Sequence, residues 1–205
     1  MSDAFSDSAL MSANGLLYKM PQPLSVAVNR TFSKEFSQRQ SYAAGDTIIF
    51  DSNTGTAFVA PDSAQLSFGL TIDTTAPNAA ERFSFGTGSA ANLLQEIRIL
   101  SKNGTELYRG QAANVLAKIM KDNTYGSDAQ SMLTAAGHGV TGLQGGVTYR
   151  FVIPMSFICG FYRPTVKGMK IPAGLSSGMR IELILTNNPT RHLTRTTAGA
   201  GTNVT

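Results

Sequence analysis

Phe83 to Gly110 reads FSFGTGSAANLLQEIRILSKNGTELYRG, and this stretch decides the fold class. From Glu96 to Ser101 polar and apolar residues alternate, with Ile97 and Ile99 on one face, the period-two pattern of a half-buried strand. Asn103-Gly104 follows at once. Both residues tolerate positive φ, as a type I′ turn requires, and Thr105 to Tyr108 returns with Leu107 apolar among polar neighbours. The stretch predicts a β-hairpin. Ahead of it Gly86, Gly88 and Ser89 interrupt regular structure, and Ser89 is placed to cap a short helical run over Ala90 to Leu94.

Working back from the hairpin, Gln65 to Asp73 puts Leu66, Phe68, Leu70 and Ile72 on one face and predicts a strand. Thr47 to Phe50 reads as a short buried strand after a turn at Gly45, and Thr56 to Ala60 as another that stops at Pro61. Val26 to Phe36 alternates over a longer span, with Val26, Val28, Phe32 and Phe36 on one face. It predicts a long strand. Residues 74–82, around Pro77, are a loop, and Pro21 and Pro23 set off residues 1–23 as an arm ahead of the β-domain.

Working forward, Gln111 to Asp122 carries Val115, Leu116, Ile119 and Met120 at helical spacing, the only convincing amphipathic helix, and core packing is its expected role. Asp128 to Ala136 has room for one or two further helical turns. Gly137 to Gly146 holds four glycines in ten positions and predicts a mobile loop. Val147 to Ile153 and Met179 to Thr186 are strands, separated by an irregular, proline-bounded segment from Met155 to Leu175. Residues 187–205 hold almost no apolar side chains and are expected as a flexible tail, unable to order themselves alone. The count is about eight strands with short helical insertions. Turn signals at short intervals, without strand–helix alternation, predict an all-β antiparallel sandwich or barrel over residues 24–186.

Composition narrows the function classes. Charged residues are 15% of the 205, and the surface must lean on Ser, Thr, Asn and Gln. Such surfaces suit contact with neighbours, and also occur on secreted β-proteins. The net charge is +4. From Gln144 onward, Arg150, Arg163, Lys167, Lys170, Arg180, Arg191 and Arg195 face only Glu182, so the basic charge is concentrated at this end. One cysteine, Cys159, excludes an intrachain disulfide framework. No run reaches the roughly 18 apolar residues of a membrane span, and the N-terminus lacks the basic-then-apolar layout of a signal peptide.

Catalytic and metal constellations are sparse. His138, His192 and Cys159 lie far apart, which argues against a zinc site, and Cys159 within the run Phe157-Ile158-Cys159 reads as a small buried hydrophobe rather than a nucleophile. The glycine-rich loop follows no strand and opens no helix, so it is not a phosphate cradle. No cofactor is expected. Phe5, Leu10, Met11, Leu16 and Leu17 in the arm are apolar residues with no evident place in their own core, and are the candidate subunit contacts. Arg191 and Arg195 are the candidate anion contacts.

Taken in order, AGDTIIF (Ala44 to Phe50), AQLSFGL (Ala64 to Leu70), the stretch from Gly86 to Glu106, IPMSF (Ile153 to Phe157) and IPAGL (Ile171 to Leu175) resemble jelly-roll capsid proteins of double-stranded DNA viruses. The likeness is to the double jelly-roll major capsid lineage and its single-barrel or penton-type relatives. It implies a single jelly-roll domain with two four-stranded sheets, interlocking subunits, termini that bind neighbours or an underlying layer, and no enzymatic activity. The chain has room for one barrel. A penton-type subunit, a one-barrel major capsid protein and the first barrel of a longer polypeptide all remain open. The implied partners are further copies of the chain and other capsid proteins, with nucleic acid or an inner membrane met through the basic C-terminal region, and the implied location is the virion. The competing class is a carbohydrate- or receptor-binding β-sandwich that uses loops such as Asn123 to Gly146; an enzyme ranks third.

Overall fold

The computed structural model describes residues 31–73, 81–85, 88–124, 134–163 and 169–197. Within these the chain is an all-β, antiparallel sandwich with short helical insertions. Strands β1 (Thr47–Asp51), β7 (Arg180–Leu185), β4 (Leu94–Leu100) and β5 (Glu106–Gln111) form one sheet in the order β1-β7-β4-β5. Two further ribbons pair β2 (Gln65–Thr71) with β6 (Thr148–Pro154) and β3 (Glu81–Ser84) with β8 (Thr194–Thr197). One of the two expected four-stranded sheets is thus present, and the remaining strands pair two by two.

Period-two patterning explains which face goes inward. On the four-stranded sheet Ile48 lies opposite Leu183 and Leu183 opposite Ile97, and Ile97, Ile99 and Leu183 are all fully buried. The ribbon β2–β6 contributes Leu66, Phe151 and Ile153 to the same apolar cluster. Phe151 is fixed there by Phe85, whose ring meets it edge-on with centroids 5.4 Å apart. Charged and polar residues of the four-stranded sheet alternate onto its other face.

The central hairpin forms with a different turn. Gly104 has φ of +79° but Asn103 is not in the left-handed region, Gly104 N–H donates to Ser101 O (2.9 Å) and Ser101 N–H to Thr105 O (2.8 Å). This is a three-residue loop ending in a left-handed glycine, which needs one positive φ where type I′ needs two. Ser89 caps its turn as expected, its hydroxyl accepting from Ala91 N–H (3.2 Å), and the capped turn is a 3-10 helix over Ala90–Leu93.

Two predicted strands are replaced by two unpredicted ones. Residues 31–36 belong to no sheet, residues 26–30 lie outside the described part, and Thr56 to Ala60 makes only a single bridge, Val59 with Ile171. Alternation specifies which face a strand would bury, and a ladder also needs a partner edge. In their place stand β3 and β8. Residues 187–197, expected as tail, instead form a 3-10 turn at Pro189–His192 and then β8, ordered by pairing with β3 rather than by apolar content. The glycine-rich loop also departs from expectation, because Leu143 is buried and exchanges two backbone hydrogen bonds with Phe83 (2.8 and 2.9 Å). One apolar anchor is enough to hold it.

Helix α1 (Ala113–Thr124) exists, but with another face inward. Ala113 and Ala117 are buried, while Val115 and Ile119 are 53% and 50% exposed. Small side chains let the helix backbone come close to the Ala90–Leu93 turn, which leaves the larger residues outside. Segment 155–176 adds two four-residue helices, α2 (Met155–Ile158) and α3 (Ala173–Ser176), and buries Phe157, Ile158, Cys159 and Tyr162.

Candidate functional site

The arm residues Phe5, Leu10, Met11, Leu16 and Leu17 lie outside the described residues. Arg191 sits exposed in the 3-10 turn before β8, and Arg195 lies on β8 opposite Phe83. His192, beside Arg191, has its pKa lowered by burial and then by the Arg191 charge. These residues stand in register on an ordered ribbon.

Cys159 is fully buried, and burial pushes its thiol up to about 11, so it is protonated at neutral pH. This matches its reading as a buried hydrophobe. His138 is half-buried with Nδ1 3.2 Å from Gly88 O, on an indentation shared with Ser89, Asn92 and Phe157 whose free volume of about 10 Å³ holds one water. Among the described residues no three His, Cys, Asp or Glu side chains are grouped to hold a metal ion, and no described helix is long and apolar enough to cross a membrane.

What the geometry does bring forward is surface. Phe32, Phe36 and Phe58 are 95%, 82% and 68% exposed, and Met169 is half exposed. Large apolar side chains normally find cover, so their number on one chain marks contact surface. Sequence reading placed Phe32 and Phe36 on a strand face and passed over Phe58. A phenylalanine in a short polar-flanked segment carries no periodic signal.

The outer face of the four-stranded sheet is a second feature. Arg98 and Arg109 stand directly opposite each other across β4 and β5, and both donate from Nε to one oxygen of Glu96, at 2.7 and 2.8 Å. Asp51 accepts from Arg180 Nε and Gln38 Nε2, both at 2.9 Å. Two arginines in register repel, and Glu96 is what holds them. The Arg98 hydrogen bond, opposed by desolvation and aided by Arg109, keeps the Glu96 carboxyl below its ordinary 4.5. A depressed folded-state pKa contributes stability that is full above the unfolded value and lost as pH falls through the folded one. Glu96→Gln is therefore expected to cost about 1 kcal/mol at neutral pH, and the two proteins should converge in urea midpoint once the pH is well below 4.5. A constant gap down to the acid limit contradicts the assignment.

No protein-family model and no curated protein matches this chain.

Proposed function

We propose that the chain is a structural subunit of a viral shell, a jelly-roll capsid protein that assembles with copies of itself and with other capsid proteins in the virion. The observation that carries this reading is the nesting of strand pairs. β1 pairs with β7, β2 with β6 inside it, and β4 with β5 innermost, all antiparallel, so residues 47–185 trace a long ribbon folded back on itself. The additional pairing of β7 with β4 rolls the ribbon, the connectivity expected of a jelly roll. Fold alone does not imply function. The reading therefore also leans on the ordered resemblance along the sequence, the low charge density and the exposed phenylalanines, which suit a block whose faces are covered by neighbours.

In this reading the β-domain is the rigid unit and residues 1–23 supply contacts through Phe5, Leu10, Met11, Leu16 and Leu17. Arg191 and Arg195 face the particle interior, where nucleic acid or an anionic membrane supplies phosphate. Removing residues 2–23 is expected to abolish assembly, read as loss of particles in electron micrographs, while the circular dichroism spectrum stays that of a folded β-protein. Normal particles from the shortened chain contradict the role given to the arm.

A further inference from the structure

Thr31–Phe36 is strand-patterned, exposed at every residue and part of no sheet, although Ser37 immediately after it bridges Phe50 on β1. At the other end of the same sheet β5 closes the order β1-β7-β4-β5, and among the described residues no strand pairs with its outer edge. Such an edge carries alternate unpaired N–H and C=O groups and accepts an added strand. The chain thus holds a strand without a partner and an edge without a strand.

The two cannot meet within one molecule. Ser37 lies outside β1, so a strand added beyond β5 is five inter-strand spacings away, roughly 24 Å at about 4.8 Å each. Phe32 is only five residues from Ser37, a reach of about 17 Å even when fully extended. The edge that Thr31–Phe36 reaches must belong to a second copy.

We propose that Thr31–Phe36 of one subunit adds as an antiparallel strand to β5 of the next, with Phe32 opposite Tyr108. That register sets Lys34 opposite Glu106, an oppositely charged pair, Ser33 opposite Leu107 and Thr31 opposite Arg109. It seats Phe32 beside Tyr108, which lies on the core side of β5 opposite Ile99. Moving the register so that Phe36 meets Tyr108 would bring the pinned Ser37 against the neighbour's edge strand, which leaves the earlier pairing as the one with clearance. Donor and acceptor sit at opposite ends of the sheet, so the contact is head-to-tail and closes into a ring when the rotation permits.

The proposal rests on the self-assembly part of the proposed function, and disulfide trapping separates the two. Thr31→Cys and Arg109→Cys place thiols at exposed positions, directly opposed residues of a strand pair are within disulfide reach, and the native Cys159 is buried. Two singly substituted proteins, one T31C and one R109C, are mixed and oxidised. A disulfide-linked dimer from the mixture, and a ladder of multimers from the double variant, are expected. Lys34→Glu should weaken association about two- to fivefold, and Lys34→Glu with Glu106→Lys should restore it. Oligomers that form without the 31–109 bridge overturn this proposal while leaving the subunit reading in place. A 35–109 bridge from E35C and R109C in its stead overturns the register, and a strict monomer overturns both readings.

Discussion

Leu183→Ala is expected to lower the unfolding free energy by about 4 kcal/mol. Leu183 lies near the middle of β7, a strand hydrogen-bonded on both edges, and is fully buried between Ile48 on β1 and Ile97 on β4. Truncation removes the transfer free energy of the lost carbons and leaves a cavity that two rigid ladders prevent from closing. A domain of ordinary stability, about 5–15 kcal/mol, loses a large fraction of it. Leu183→Met keeps the volume and should cost less than about 1.5 kcal/mol. Urea unfolding of both variants provides the check, and equal losses for Ala and Met contradict the packing described for β7.

Gly137→Ala is the second large effect, about 3 kcal/mol or more, and its argument is local. Gly137 has φ of +86°, and a Cβ there would stand 3.0 Å from the Phe151 ring and 3.2 Å from Ala90 N. Phe151 cannot yield, since it is buried against Phe85, and the Ala90 backbone donates to Ala136 O (2.9 Å). Gly139, two residues on, also has a positive φ of +67° but nothing within 4 Å of its would-be Cβ. Gly139→Ala should therefore show only the backbone cost, about 1 kcal/mol. The pair separates crowding from conformation in one loop, and equal losses at the two positions contradict the close approach to Phe151.

The parts of this fold visible in the sequence are those whose code is local. Ile97 and Ile99 alternate into the core, Ser89 caps its turn, and the strands at Thr47, Gln65, Val147 and Met179 follow from period two within a few residues of their bounds. What stayed hidden depends on partners far away in sequence. β8 is nearly all threonine and arginine and becomes a strand because β3 offers it an edge, while Val26 to Phe36 has a better pattern and its described half, residues 31–36, has no edge in its own chain. Helix α1 shows the same limit. Its large residues predict the buried stripe, yet Ala113 and Ala117 face inward because close approach to the Ala90–Leu93 turn favours the smallest side chains.

The candidate surface was legible only as candidates. Arg191 and Arg195 stand out in the sequence by charge, but their position on a paired ribbon follows from the β3–β8 register. Phe58 has no signal in its neighbours, and the shared grip of Glu96 on Arg98 and Arg109 needs the β4–β5 register, which the hairpin turn sets. Side chains that serve a contact between subunits obey the neighbour's geometry, and one chain's sequence carries half of that code.

The most direct test of the central claim is the mass of the purified full chain in solution, measured by light scattering across a concentration series. The account predicts a discrete ring-sized oligomer or larger particles that grow with concentration. A strict monomer at the highest concentration contradicts it.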